Sequence, residues 1–165
     1  MAQVTLGGNP VNTVGDLPPI GKAAPAFTLA SADLSDLTPE SFGGKKVVLN
    51  IFPSVDTPTC ATSVRTFNER VAGRDDAVVL CVSEDLPFAQ SRFCGSEGLS
   101  NVLTASSFRS DFGTQYGVTL GEGKMTGLLA RAVVVLDESG TVVHTELVPE
   151  IANEPDYDAA LSALA

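Results

Sequence analysis

The sequence predicts an α/β fold, in which a mixed central sheet is flanked by helices and a β-hairpin extension precedes the sheet. Three observations predict this class. Two continuous apolar segments, Lys46–Phe52 and Ala77–Val82, enclose a segment with helical periodicity, which is the order of a βαβ unit. Two later apolar segments flank a short turn that contains glycine, as expected of antiparallel strands. A helical repeat then closes the chain.

The first sixteen residues predict a small hairpin. Val4 and Leu6 precede the turn-forming residues Gly7-Gly8-Asn9-Pro10, and a second apolar segment, Val11–Val14, follows them. No repeat, low-complexity tract or linker interrupts the rest of the chain. We therefore expect residues 1–165 to form one domain, with residues 1–16 as its hairpin extension.

The central βαβ unit is predicted in three steps. Lys46–Phe52 is mostly apolar and is closed by Pro53, as expected of a strand covered on both faces. A helix begins at Pro58 and ends before Gly73. Four residues recur along one of its faces at spacings of four, three and four: Cys60, Val64, Phe67 and Val71. Ala77–Val82 completes the unit as a strand parallel to the first.

Two more helices are predicted after this unit. The first covers Leu86–Cys94, with Asp85 as its N-cap, Pro87 in its first turn and Gly95 as its end. The second is short and covers Ser106–Phe112.

The last third of the chain predicts a hairpin and a helix. The hairpin strands are Ala130–Asp137 and Thr141–Val148, and the helix follows Glu154-Pro155-Asp156, with apolar residues at helical spacing: Tyr157, Ala160, Leu161 and Leu164. A parallel unit followed by an antiparallel hairpin and a final helix matches a thioredoxin-like fold.

The charge balance excludes some classes of partner. Ten Lys and Arg residues against twenty Asp and Glu residues give a net charge of −10, which repels phosphate backbones and anionic lipid. We therefore expect no nucleic acid and no membrane among the partners. The N-terminus resembles no secretory signal, and no apolar run approaches the ~20 residues that span a bilayer. A cytoplasmic location is expected.

The cysteines point to thiol chemistry. Cys60, Cys81 and Cys94 form no C-x-x-C pair, and an odd number of cysteines cannot pair completely in a disulfide framework. His144 is the one histidine and cannot complete the usual zinc spacings. No metal and no organic cofactor is therefore expected.

Cys60 lies where a helix begins. If Thr57 is the N-cap and Pro58 the first helical residue, the Cys60 sulfur lies near unpaired backbone N–H groups and the positive end of the helix dipole. Both favour the thiolate. A helix terminus supplies at most ~2 kcal/mol, so an arginine from elsewhere in the chain is expected to assist. Periodicity alone favours a packing role for Cys60, because free cysteines are often buried.

Two longer motifs resemble a known family. Pro53-x-x-x-Thr57-x-x-Cys60 resembles the active-site signature of the peroxiredoxins. The segments Asn50–Cys60 (NIFPSVDTPTC) and Ser83–Cys94 (SEDLPFAQSRFC) resemble, more narrowly, the bacterial thiol peroxidases, an atypical two-cysteine branch. The resemblance covers nearly the whole chain, including the N-terminal hairpin.

The resemblance implies a role for each matched residue. It implies that Cys60 is the peroxidatic cysteine, whose thiolate becomes a sulfenic acid, and that the Thr57 hydroxyl contacts both thiolate and peroxide. Arg131 matches the arginine that orients the peroxide, and Pro53 matches the proline that shields the sulfur. Cys94 matches the resolving cysteine, which implies a redox disulfide between Cys60 and Cys94.

The other interpretations stay open at this point. Cys94 can be a buried cysteine at a helix end, and Cys81, within an apolar strand, is interpreted as inert core. The resemblance implies a peroxidase that reduces hydrogen peroxide and organic hydroperoxides, with a thioredoxin-like reductant and a homodimeric assembly. The alternatives are a peroxide-sensing or thiol-exchange binding module with little turnover, and a structural thioredoxin-like scaffold.

Overall fold

The computed structural model describes residues 1–165 and consists of two sheets with helices around the larger one. The strands, in chain order, are β1 (Gln3–Leu6), β2 (Asn9–Asn12), β3 (Leu29–Ala30), β4 (Asp36–Leu37), β5 (Lys46–Ile51), β6 (Ala77–Ser83), β7 (Leu103–Ser106), β8 (Ala132–Leu136) and β9 (Val142–Leu147). The helices are α1 (Pro58–Arg70), α2 (Pro87–Glu97), α3 (Phe112–Gln115) and α4 (Tyr157–Ser162).

The seven-stranded sheet is mixed, as the sequence predicts. Its order is β4-β3-β7-β6-β5-β8-β9, and only β5–β6 and β6–β7 are parallel pairs. Strands β5 and β6 pair in register from Lys46 opposite Ala77 to Ile51 opposite Val82, with α1 as the crossover between them. Strand β8 pairs antiparallel with β5 and forms the predicted hairpin with β9. The thioredoxin-like order of elements is therefore confirmed.

Both faces of the central strands are covered by apolar layers. Alternation along β5 sends Leu49 and Ile51 into one core cluster, with aromatic residues from the loops and α3. Val48 and Phe52 lie in the cluster on the other face, which also includes residues from α1, α2 and α4. Because both faces are buried, the sequence of β5 is mostly apolar, with no alternation of polar and apolar residues.

Helix α2 differs from its prediction at both ends. The helix continues through Gly95 to Glu97, and Gly98 is its C-cap in the left-handed region, with φ of 67°. Leu86, in place of Asp85, is the N-cap residue, because the Asp85 carboxylate accepts hydrogen bonds from elsewhere. Pro87 is in the first turn, as predicted. Cys94 therefore lies inside the helix instead of ending it.

The predicted helix over Ser106–Phe112 is wrong. Ser106 ends strand β7, where it pairs with Ser83, and the Ser107 N–H donates to the Ser83 carbonyl at 2.9 Å. The chain then turns, and α3 begins at Phe112. In this segment, the backbone N–H and the hydroxyl of Ser107 both donate to the Ser83 carbonyl of β6. These bonds compete with helical hydrogen bonds, so no helix begins at Ser106.

The N-terminal hairpin is confirmed, with a shorter turn than predicted. Gly7 and Gly8 alone form the turn, with φ of 59° and 84°, which suits a two-residue turn with both central residues in the left-handed region. Asn9 and Pro10 belong to β2, where Pro10 lies opposite Thr5. None of the four helices has the length and apolar character that a membrane crossing requires.

Candidate active site

The sheet topology brings Cys60 and Arg131 to the same edge. Cys60 is in the first turn of α1, which starts after the carboxyl end of β5. Arg131 directly precedes β8, and because β8 runs antiparallel to β5, its first residue, Ala132, pairs with Ile51 at the carboxyl end of β5. Two residues that are far apart in the sequence therefore meet at one end of two paired strands.

The Cys60 side chain is fully buried at the start of α1. It packs in the apolar cluster with Val64 and Phe67, as its periodicity predicts. The helix begins at Pro58, so the Cys60 N–H is one of the first-turn donors that no backbone carbonyl satisfies, whereas the Ala61 N–H bonds to the Thr57 carbonyl. The two interpretations of Cys60 from the sequence, a packing role and a position at a helix N-terminus, are therefore compatible, because the structure shows both.

The Arg131 guanidinium contacts the Cys60 sulfur. Its Nη2 donates to Cys60 Sγ at 3.3 Å, and its Nε donates to the Ile151 carbonyl at 2.7 Å. The side chain is 1% exposed, and the third nitrogen, Nη1, is buried without a hydrogen-bonding partner. Arginine donates only, so Nη1 is a directed N–H donor that can bind an oxygen atom beside the sulfur. The position of Cys60 at a helix start predicts an assisting arginine without naming it, and Arg131 is the residue that the family resemblance implies.

Thr57 and Pro53 both precede Cys60, in the loop between β5 and α1. Thr57 is the N-cap residue by position, but its side chain caps no helical N–H. Its hydroxyl donates instead to the Ser54 carbonyl at 3.0 Å, so its oxygen lone pairs stay available as acceptors. Pro53 is buried immediately after β5. Thr57 is therefore the N-cap residue of α1, as predicted, although its side chain bonds to the preceding loop and not to the helix.

The other two cysteines lie in the same apolar cluster as Cys60, and all three are free thiols. Cys94 is half-buried, and burial raises the pKa of its thiol. Cys81 is fully buried; burial raises its pKa to about 12, against a smaller opposing effect of a hydrogen bond from Asn50 Nδ2. Cys81 is therefore protonated at neutral pH, which fits the interpretation as inert core.

Asp85 connects the loop before Cys60 to the strand before α2. Its carboxylate accepts from the Ser54 hydroxyl at 2.8 Å, from the Val55 N–H at 2.8 Å and from the Ser83 hydroxyl at 2.7 Å. Gln90, buried in the first turns of α2, donates to the same Ser83 oxygen at 3.0 Å. The loop that carries Thr57 is thereby tied to the helix that carries Cys94.

The sequence does not predict this connection. It predicts Asp85 as a helix cap, because an acidic residue just ahead of a helical pattern with proline in its first turn is a common N-terminal sequence. The Ile151 carbonyl has no side-chain signature at all, and only the tertiary structure shows that it accepts from Arg131.

Known proteins resemble this chain along its whole length. A family model described as Redoxin matches residues 19–161. Thiol peroxidases from Mycobacterium tuberculosis and Mycobacterium bovis are each 64% identical over 164 residues, which cover 99% of this chain and 99% of the relative.

Solved structures agree with these relatives. A peroxiredoxin-like protein from Aquifex aeolicus has a TM-score of 0.93 and 42% identity, over 99% of this chain and 96% of that one. A thiol peroxidase from Chromobacterium violaceum has a TM-score of 0.90 at 24% identity, over 98% and 94% of the two chains, and supports the fold alone. The family model and the 64% identical relatives show that the chain belongs to the redoxin family, among the peroxidase enzymes of the peroxiredoxin type, and the buried cysteine beside an arginine agrees with this.

Proposed function

We propose that this chain is a thiol-dependent peroxidase that reduces hydrogen peroxide and organic hydroperoxides through Cys60. One observation carries the proposal: Arg131 places Nη2 on the Cys60 sulfur and keeps a second buried donor, Nη1, without a partner. A buried donor without a partner costs about 1–3 kcal/mol, and a peroxide oxygen beside the sulfur would satisfy it. The site is therefore complementary to a small oxygen-rich substrate.

The first step follows from these positions. The Cys60 thiolate attacks the terminal oxygen of the hydroperoxide, an S–O bond forms and the O–O bond breaks. Two electrons pass from sulfur to the peroxide, which leaves Cys60 as a sulfenic acid and releases an alkoxide or hydroxide that takes up a proton. The donors of Arg131 stabilise the negative charge on the departing oxygen, and the Thr57 hydroxyl can accept from the peroxide O–H. Pro53 shields the sulfur from solvent.

Cys94 then resolves the sulfenic acid. Its sulfur attacks the Cys60 sulfur, the S–O bond breaks, and the thiol proton leaves with the hydroxyl group as water. The product is an intramolecular disulfide. Cys94 lies inside α2, and the burial that raises the pKa of its thiol is lost when the helix unwinds, so the same motion frees the sulfur and favours its thiolate.

A thioredoxin-like dithiol protein returns the two electrons. Its thiolate attacks the Cys60–Cys94 disulfide, and its second thiol completes the exchange, so that both cysteines are reduced and the partner becomes a disulfide. The protein acts in the cytoplasm as a homodimer. Exposed apolar side chains near the start of α2, Leu86 at 49% and Phe88 at 64% exposure, support such an assembly.

Steady-state peroxide consumption in the presence of thioredoxin, thioredoxin reductase and NADPH tests this function. We expect sustained NADPH oxidation that depends on peroxide, on thioredoxin and on this protein. Reduction of about one equivalent of peroxide per chain without further turnover would instead support the peroxide-sensing module. A reduced protein whose Cys60 does not react with peroxide would leave only the structural scaffold.

A further inference from the structure

The loop from Val148 to Ala152 passes over the active site and holds it by backbone carbonyls. The Ile151 carbonyl accepts from Arg131 Nε at 2.7 Å, and the Ala152 carbonyl accepts from the Thr59 hydroxyl at 2.9 Å. The Arg131 side chain has no carboxylate within ion-pair distance and bonds only to this carbonyl and to Cys60 Sγ. The position of its Nη1 and Nη2 therefore depends on where the loop holds the Ile151 carbonyl.

The N-terminal hairpin holds this loop from the outside. The Thr5 N–H donates to the Pro149 carbonyl at 2.7 Å, and the Ile151 N–H donates to the Thr5 carbonyl at 2.8 Å. The side chains of Val4 and Val11 are buried in one small apolar cluster with Ile151. The hairpin, which is an extension of the main fold, is therefore bound directly to the segment that orients Arg131.

Glu150 fastens the tip of the hairpin to the same loop. Its carboxylate accepts four hydrogen bonds, from the Thr5 hydroxyl at 2.9 Å, the Gly8 N–H at 2.8 Å, the Gly7 N–H at 3.2 Å and the Ala152 N–H at 2.9 Å. Three donors belong to the hairpin and one to the loop beyond Ile151. The Glu150 carboxylate thus holds the residues on both sides of Ile151, namely Glu150 itself and Ala152.

These bonds favour the charged form of Glu150. Backbone hydrogen bonds from Ala152 and Gly8 lower the pKa of the carboxyl to about 2, so it is ionised at neutral pH. No cation pairs with the Glu150 carboxylate, which accepts hydrogen bonds only from backbone N–H groups and one hydroxyl.

We propose that Glu150 and the N-terminal hairpin form a clamp that positions Arg131 for the peroxide reaction, through the carbonyl of Ile151. The proposal rests on the proposed peroxidase function of Cys60 and Arg131. Glu150 touches neither sulfur nor substrate, so it is a positioning residue. A displacement of about 1 Å of an orienting group can cost about a hundredfold in rate, and loss of the clamp is expected to shift Arg131 by less.

A double-mutant cycle in the rate of Cys60 oxidation tests the clamp. The substitution Glu150→Ala is expected to lower the second-order rate with hydrogen peroxide about tenfold in the wild-type background. In an Arg131→Met background the same substitution should change the rate less than about twofold, because the clamp acts through Arg131. Glu150→Gln, which keeps one acceptor oxygen, should give a smaller fall in the same direction.

Glu122→Ala is the matched control. Glu122 also accepts a backbone N–H of the hairpin, from Asn12 at 3.0 Å, but it makes no hydrogen bond to the Val148–Ala152 loop. Its removal should leave the peroxide rate within about twofold of the wild type. Alkylation of Cys60 by iodoacetamide, which does not need the oriented donors of Arg131, should fall much less than the peroxide rate in Glu150→Ala.

Two results would overturn the clamp. One is a peroxide rate in Glu150→Ala equal to that of the wild type. The other is an equal fall in both arginine backgrounds, which would mean that Glu150 acts by another route. A wild-type protein whose Cys60 does not react with peroxide at all would instead contradict the proposed function, so the two failures are distinguishable.

Discussion

A buried arginine without a carboxylate partner is unusual, because charged side chains are almost never fully buried unless they are paired. Desolvation of a single cation costs on the order of several kcal/mol. Arg131 is 1% exposed, and its contacts are a carbonyl and a sulfur. Neither contact is a carboxylate, and Nη1 has no acceptor, so the guanidinium keeps a donor for an oxygen atom beside the Cys60 sulfur.

Substitution of Arg131 separates its effect on rate from its effect on folding. Arg131→Met removes a buried charge and keeps a flexible apolar side chain, so we expect the midpoint of unfolding to change little. The rate of Cys60 oxidation by peroxide should fall about a hundredfold or more, because the donors to the leaving oxygen are lost. Stopped-flow kinetics with the reduced protein measures this. An undiminished rate would mean that Arg131 is misassigned.

Thr57→Val tests the second polar group of the site. The hydroxyl bonds to the Ser54 carbonyl, and its removal should cost about 1 kcal/mol of stability. Its removal should also lower the peroxide rate about tenfold, because one hydrogen bond from the reacting peroxide is lost. A rate within twofold of the wild type, in the same stopped-flow experiment, would exclude a contact between this hydroxyl and the reacting oxygens.

Helices α1 and α2 are held to the fold with different strength. Six residues of α1 are buried, including Val64 and Phe67, whereas α2 buries only Pro87, Gln90 and Phe93. Two ion pairs fasten α2 to the active-site side: Arg92 with Asp56 at 3.1 Å and Glu97 with Arg65 at 2.9 Å. Exposed pairs of this kind contribute about 0–1 kcal/mol each. Helix α2 is therefore the element that can move.

Disulfide formation should unwind α2. Cys94 lies inside this helix, so several residues of α2 must leave the helical conformation before the Cys94 sulfur can reach Cys60. Closing a loop of roughly 35 residues stabilises the oxidised chain by about 3–4 kcal/mol, which is comparable to the cost of melting a helical turn or two. Hydrogen exchange should show lost protection over residues 88–93 in the oxidised protein.

The control for this experiment is α1, which should keep its protection at Val64 and Phe67 in both redox states. Unchanged protection of residues 88–93, in protein shown by mass spectrometry to contain the Cys60–Cys94 bond, would contradict the expected unwinding.

The hairpin clamp should also have a signature in the pH dependence of stability. The pKa of Glu150 is lowered from 4.5 in a free side chain to about 2 in the folded protein. A lowered pKa in the folded state means that the contribution is fully present above pH 4.5 and is lost as the pH falls to about 2. The wild type should therefore be more stable than Glu150→Gln at pH 7.

The difference in unfolding midpoint between these two proteins should shrink steadily between about pH 4.5 and about pH 2. Thermal unfolding of both proteins across this range measures it. A difference that stays the same at the two ends of the range would show that the carboxylate charge contributes nothing to the clamp.

At the scale of the molecule, elements with a strong periodic pattern or clear turn residues are predictable from the sequence, and three short strands without either are not. The sequence predicts β5, α1, β6 and the β8–β9 hairpin because each is a continuous apolar or helical pattern. It misses β3, β4 and β7, which have only two to four residues each. The position of Cys60 at a helix start follows from the pattern, whereas Arg131 required a resemblance to known proteins. The single-domain organisation stays a prediction.

The assembly of the whole molecule is a separate prediction. We expect a homodimer, because the exposed side chain of Phe88 lies near the exposed Leu86 at the start of α2 and such apolar surface favours association. Light scattering of the reduced protein at micromolar concentration should give twice the mass of one chain, 17.1 kDa. Phe88→Glu should shift the distribution toward the monomer, and a wild-type monomer at that concentration would contradict the prediction.

The most direct test of the central claim is the reaction of reduced protein with one equivalent of hydrogen peroxide, compared between Cys60→Ser and Cys81→Ser. Peroxide consumption and the thiol state of each cysteine are measured together, the second by mass spectrometry. We predict that Cys81→Ser consumes peroxide at a rate within a few-fold of the wild type and forms the Cys60–Cys94 disulfide, because Cys81 is buried and protonated. Cys60→Ser should consume none, and peroxide consumption by that variant at the wild-type rate would contradict the mechanism.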